Sequence, residues 1–482
     1  ASGQFIFTDL SEGNIELHVT APRFSHQNVD VEILQEDINN INVALAPSVM
    51  EVIDVHATPL HTSNIESALP VNVIAADELK QKHASTLGET LKNEVGVHSN
   101  YYGPTSSSPI IRGHDGPRVL ITQNGLDVGD ASRVGPDHVV SSETSTAEQV
   151  EVLRGPATLF YGSGAIGGVV NVVDTRVPTS TDNQIDFMLQ HNDVADENEA
   201  SIAINTGEGN VAFHFDGFMR ESNDYEIPGL AELADEHDEH DEHDEHDEHD
   251  EHEEHGDEES GKLANSSSKS SGFTIGTSYI LDNGFVGLSF GRMEREYGIP
   301  GHVHGHHEDE HDEHDEHDEH DEHEEHEGHS EEALPVYWFT AQDAEFYGYE
   351  IQLIWQANSE LKFTAQTDAI WGELVDGGDL PRIPPARIGL NVNYQASRLG
   401  IDLDMMHYFK QDNVAVAESA TEAYSLVDLY VNYDLGLSSA ELTAFAKVTN
   451  LFDEEARVHT SFLKNDTLLP GRNITIGLRG SF

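Results

Sequence analysis

From about residue 179 to the C-terminus, apolar and polar side chains alternate in segments of roughly ten residues, and nowhere does the chain approach 18 consecutive apolar residues. A period of two marks a strand whose two faces meet different surroundings. Twelve such segments can be counted, at about 184–192, 199–206, 210–221, 271–281, 284–296, 345–356, 360–372, 386–396, 399–410, 424–435, 440–450 and 472–482. Gly207 to Gly209, Asp282-Asn283, Ala357 to Ser359, Ser397-Arg398 and Gly436 to Ser439 read as tight turns, and most connections between them are long and irregular. Short turns at one end and long loops at the other are what an antiparallel barrel crossing a bilayer requires, so the expected fold is mainly β, with no helical span. The last segment places Ile474, Ile476, Leu478, Gly480 and the terminal Phe482 on one face.

Half of the formal charge of -66 is concentrated in two places. Residues 235–259 carry 17 acidic side chains and residues 308–332 carry 16, with no Lys or Arg in either stretch. Such a surface repels nucleic acid, which is excluded as a partner. Both tracts repeat His-Asp-Glu. The first supplies His237, His240, His243, His246, His249, His252 and His255; the second supplies eleven imidazoles, beginning His302, His304, His306, His307, His311 and His314. Eighteen of the 30 histidines lie there, more than solubility alone needs. Imidazole with nearby carboxylate suits Zn, Cu or Ni, and many equivalent partial sites imply weak, fast-exchanging capture. The alternatives are a solvated repulsive loop or a pH sensor. The turn parity puts both tracts, 235–259 and 302–332, on the long-loop side.

Ahead of the barrel the texture differs. Residues 1–47 alternate as short β-sandwich strands, with Gly13 and Pro22 as punctuation, and "GQFIFTDLSEGNIELHVTAPRF" resembles a carboxypeptidase regulatory-like domain lacking its opening strands. Residues 48–69 read as a linker, and 70–178 as an α+β unit with helical stretches near Ala76 to Lys82 and Thr86 to Asn93. The absence of cysteine suits an oxidising envelope compartment. Ala1-Ser2-Gly3 carries no signal pattern, so either a leader has been removed or the sequence starts within the mature chain.

"PIIRGHDGPRVLITQNGLDVGD" (109–130) and "QVEVLRGPATLFYGSGAIGGVVNVVDTR" (149–176) resemble the plug of TonB-dependent outer-membrane receptors, with Arg112-Gly113, Arg154-Gly155-Pro156 and Tyr161-Gly162 to Gly168 in order. Glu51, Val52, Ile53, Asp54, Val55, His56 and Ala57 resemble the TonB box, which adds a strand to the energy-transducing protein of the inner membrane. The glycines of "YGSGAIGG" lack the spacing and Lys of a phosphate loop and are expected to make tight turns under the barrel wall.

Asp137-His138, in "RVGPDHVV", is by itself a polar turn. The zinc-receptor branch of the family has His-rich loops and a plug Asp-His pair in this setting, and that resemblance implies a ligand role for Asp137 and His138. Glu143 and Asp130 stand as possible assistants, while His83, His98, His114 and His407 are read as structural or surface residues. The resemblance implies active uptake of a divalent metal, zinc before nickel or copper, across the outer membrane, with lipid, the TonB complex and the ion as partners and no catalysis. Haem or metal-chelate cargo, or a surface sequestering protein, are the competing readings. Plugged receptors close 22 strands, so twelve are too few. The shortfall is expected between Glu332 and Leu334, where the second tract runs into "LPVYWFTAQDAEFYGYE".

Overall fold

A computed structural model describes residues 7, 13–19, 27–33, 41–45, 55–56 and 70–482, apart from 163, 232–260, 282, 301–341 and 438–439. Both His-rich tracts, and the TonB-box segment except Val55 and His56, lie outside the described residues. Near the N-terminus β1 (Gly13–Val19) pairs antiparallel with β2 (Gln27–Ile33) as a two-stranded sheet.

The α+β unit is built on β3 (Val71–Ala75), α1 (Ala76–Lys82), α2 (Leu87–Leu91), β4 (Val97–Ser99), β5 (Pro109–Ile111), β6 (Val119–Gln123), β7 (Leu126–Asp127), β8 (Gln149–Leu153) and β9 (Gly168–Val173). Five of the strands form one sheet in the order β3-β8-β9-β6-β7. β8 and β9 are buried at every position, which is why "GVVNVV" carries valines on both faces and does not alternate. Ile74, Leu79, Leu91, Val97, Val150, Val152, Val170 and Val172 pack as its core, each side chain contributing roughly 1.5–3 kcal/mol on burial. Thr86 caps α2 by accepting the Glu89 N–H at 3.3 Å.

The glycines of "YGSGAIGG" divide in their reasons. Gly162 and Gly164 adopt φ of +75° and +97°. A Cβ on Gly167 would lie 2.6 Å from the His114 Cβ, and one on Gly168 would lie 2.9 Å from the Leu153 carbonyl oxygen. Gly162 and Gly164 thus make the expected tight turns, while the close approach at Gly167 and Gly168 is to the unit's own β5 and β8 region.

The remaining strands are β10 (Gln184–Asn192), β11 (Glu197–Glu208), β12 (Val211–Ser222), β13 (Ser268–Leu281), β14 (Gly284–Tyr297), β15 (Ala344–Asn358), β16 (Leu361–Leu374), β17 (Arg387–Gln395), β18 (Leu399–Tyr408), β19 (Tyr424–Asp434), β20 (Glu441–Thr449) and β21 (Asn473–Ser481). Every one overlaps its sequence-predicted segment. Polarity is inverted relative to a water-soluble sandwich: on β12 the buried positions include His214, Asp216, Arg220 and Ser222, while Phe213, Phe215 and Met219 are exposed outward. Apolar side chains on the outside suit lipid. Among the described residues no helix is long and apolar enough to cross a membrane.

The sheet runs β14-β13-β12-β11-β10-β21-β20-β19-β18-β17-β16-β15, every neighbour antiparallel. The first and last barrel strands, β10 and β21, are thus joined, and Phe482 stacks on Phe187. Among the described residues β14 and β15 each have one ladder partner, so the sheet is open between Tyr297 and Ala344, the interval in which the sequence places the shortfall.

Candidate functional site

The α+β unit sits inside the sheet and is tied to its inner face by ions. Arg112 donates twice to Glu350 (2.6 and 2.9 Å), Arg154 reaches the same carboxylate at 3.2 Å, and the His98 ring meets Asp368 at 3.0 Å. Arg387 pairs with Asp368 and donates to the Glu94 and Val97 carbonyls. Burial, with the Arg387 cation beside it, pushes the His98 imidazole below its ordinary range. His83 and His98 were read from sequence as structural or surface residues; both are buried and bonded to wall carboxylates.

Asp137 and His138 lie on the outer surface of this unit. A short 3-10 turn over Ser132–Val134 ends as Gly135 N–H donates to the Ser132 carbonyl at 2.9 Å, and His138 N–H then points at the Gly135 carbonyl at 3.5 Å. Adjacent side chains on an extended segment would diverge; this turn brings them together, with His138 Nδ1 2.9 Å from Asp137 Oδ1. A Cβ at Gly135 would stand 2.6 Å from that nitrogen and 2.8 Å from that oxygen, so a larger residue there would turn the two exposed side chains out of this arrangement. Both side chains keep substantial exposure, 48% for His138 and 36% for Asp137.

The turn's backbone is pinned from two sides. The Asp137 carbonyl accepts from Ser106 Oγ at 2.8 Å and from Tyr297 Oη at 3.1 Å, and Val139 N–H donates to the same Tyr297 oxygen at 3.3 Å. Burial and the Asp137 charge together push the nearby Tyr102 phenol up. Tyr297 is the last residue of β14 and stands five residues ahead of His302 in the sequence.

The stems of both tracts emerge at one rim. Ser222, at the end of β12, is in register with Ser268 at the start of β13, and Ser268 with Tyr297. Of the proposed assistants, Asp130 is engaged by Ser132 and Ser141. Glu143 is held by Arg220 and Arg295. His407 hydrogen-bonds Ser425 across the β18–β19 pair.

Sequence reasoning missed a third grouping. His83 and Glu143 meet Glu199 of β11, their donor atoms lying within 4.8 Å of one another. No local motif links three residues spread over more than a hundred positions; only the alternation of β11, which turns Glu199 inward, hints at it.

Val55 is buried against Val71, Leu120 and Leu153, and His56 N–H donates to Glu151 Oε1 at 2.5 Å. This much of the segment 51–57 rests on the α+β unit.

Residues 63–169 match the family described as TonB-dependent Receptor Plug Domain, and residues 318–451 match TonB dependent receptor-like, beta-barrel. The fold is similar to that of the copper transporter OprC (TM-score 0.63, 13% identity, 86% of this chain and 99% of that one). It is also similar to the ferric citrate transporter FecA (0.52, 14%, 86% and 97%) and to the ferripyoverdine receptor of the outer membrane of Pseudomonas aeruginosa (0.55, 11%, 90% and 89%). At these identities the likeness speaks for fold alone. The two family matches together span half of the chain and meet the observed inner unit and strand sheet in the right order, so the chain belongs to the TonB-dependent receptors, transport proteins of the outer membrane and not enzymes.

Proposed function

We propose that this receptor imports a divalent transition metal ion, zinc foremost, with the His-rich tracts 235–259 and 302–332 collecting the ion and Asp137-His138 holding it. The observation that carries the reading is the pinned turn: a carboxylate and an imidazole set side by side, exposed, and anchored through Tyr297 to the strand from which the second tract departs. One N and one O donor suit zinc at about 2.0–2.2 Å. Nickel and copper compete for the same donors, and the family fold also serves metal chelates.

Release follows from the other end of the plug. Pairing of residues 51–57 with the TonB energy-transducing protein would withdraw Val55 from its pocket and His56 from Glu151, a local cost of about 2–4 kcal/mol, and disturb β8, which carries Glu151. No bond is made or broken in the cargo.

Cells carrying Asp137→Ala/His138→Ala should lose high-affinity uptake of labelled zinc while the metal bound to the tracts stays, with nickel and copper followed in parallel to rank the cargo. Parental uptake by the double variant under zinc limitation would make the pair structural. Deletion of residues 51–57 separates import from mere sequestration, which would be indifferent to it.

A further inference from the structure

Between plug and wall lies a charged cage distinct from the Asp137-His138 turn. Glu199 of β11 accepts from Arg220 Nη2 at 2.7 Å and faces His83 Nε2 at 2.9 Å. Arg220, from β12, reaches Glu143 at 3.2 Å and the Ser85 carbonyl at 3.2 Å, and Arg295 from β14 holds the other Glu143 oxygen at 2.9 Å. Burial alone would push Glu143 up, but Arg220 and Arg295 outweigh it and hold its carboxyl below the usual range. His83, Glu199 and Arg220 are all more than nine-tenths buried.

We propose that His83, Glu143 and Glu199 form a second, buried site for the transported divalent cation, in which the ion displaces the Arg220 guanidinium. This rests on the reading of the chain as a metal importer. Three observations carry it. The donor set is one imidazole and two carboxylates within 4.8 Å, and a tetrahedral ion needs donors roughly 3.5 Å apart, a gap that rotation of the carboxylates closes. The far ring nitrogen, His83 Nδ1, is already fixed 2.9 Å from Thr144 Oγ1, the outer partner that sets the tautomer of a metal-binding histidine. The cage is occupied by a cation that fits it imperfectly, since Arg220 Nε is buried with no hydrogen-bond partner among the described residues.

The exchange also has somewhere to go. Glu143 stays oriented by Arg295 and by the Thr144 and Ser145 N–H groups when Arg220 leaves. Glu197 lies two positions along the same face of β11 as Glu199 and offers the departing guanidinium a carboxylate. His83 and Glu197 both border a cavity of about 710 Å3 between the plug and the inner face of β10–β12 and β15–β21, walled also by Asp402, Asp404 and Asp428. An ion leaving the cage therefore enters a cavity with carboxylates in its wall, and water from it can complete the coordination.

The test is zinc-edge anomalous diffraction from crystals of the full chain equilibrated with Zn2+ alone, for the parent and for Arg220→Ala. The expected result is a peak among His83 Nε2, Glu143 and Glu199 that is stronger in Arg220→Ala and absent from Arg220→Ala/Glu199→Gln. No peak in the cage of Arg220→Ala overturns the proposal, whether or not one stands at Asp137-His138; that second peak reports separately on the proposed function. Should Arg220→Ala not fold, His83→Gln keeps both arginine pairs. It should lower maximal zinc uptake roughly tenfold or more with the half-saturating concentration unchanged, and parental maximal uptake would equally overturn the site.

Discussion

Replacing Tyr297 by Phe removes one oxygen and leaves the ring, and that oxygen makes both hydrogen bonds by which β14 grips the Asp137-His138 turn. A net hydrogen bond contributes about 0.5–1.5 kcal/mol. The 3.1 Å bond to the Asp137 carbonyl is of ordinary length and the 3.3 Å bond from Val139 is long, so their combined worth falls near the low end of the two-bond range, about 1–1.5 kcal/mol. The Ser106 bond and the Gly135 geometry survive, so the turn loosens without unfolding. If the bonds serve to hold the two ligands together, the half-saturating free zinc for uptake should rise roughly five- to twelvefold, with the maximal rate and the zinc bound to the tracts unchanged. Uptake of labelled zinc by cells in metal-buffered medium measures this. An unchanged half-saturating concentration in Tyr297→Phe, in a strain where the Asp137→Ala/His138→Ala receptor is inactive, would refute the idea that β14 positions the site.

Four further outcomes can be checked. The tracts should bind several ions weakly and release them between about pH 7 and 5, because protonated imidazole cannot ligate; calorimetry on the segment 235–255 should find neither a single tight site nor pH-independent binding. Arg387→Ala strands the Asp368 carboxylate and the Glu94 and Val97 carbonyls inside the protein, and should cost about 3–5 kcal/mol, read as a lower unfolding temperature and earlier proteolysis of the plug. His459, in the β20–β21 loop, is lowered to about 4 by burial and the adjacent Lys464. Its contribution to stability is full above about pH 6.5, the ordinary imidazole value, and is lost as pH falls towards 4, so His459→Gln should flatten the acid side of a melting-temperature profile. Gly135→Ala should weaken high-affinity uptake while plug and barrel still fold, because its Cβ would displace both side chains of the pair.

The strand segments were legible in sequence because each strand states its own period, and the inversion of polarity is plain on β12. The turn at Asp137-His138 could be anticipated from Gly135-Pro136, since turn chemistry is local. Contacts between distant segments were not. "KQKHAST" and "VGVHSNY" give no sign that His83 will meet Glu199 or His98 Asp368, 116 and 270 residues away. The glycines of "YGSGAIGG" signalled tight backbone without saying against what, and two of the four turn out to need space beside the plug's own chain.

In a closed barrel the hydrogen-bond ladder is a hoop, and tension anywhere in the wall is borne all the way round it. Among the described residues the hoop is interrupted between β14 and β15, and the plug spans the two arms: Arg295 of β14 grips Glu143, and Glu350 of β15 grips Arg112 and Arg154. The plug is thereby a tie-rod as well as a stopper. Any pull that draws it inward also slackens the brace between the two arms, so the motion that frees a path for the cargo is mechanically linked to the spread of the wall around it.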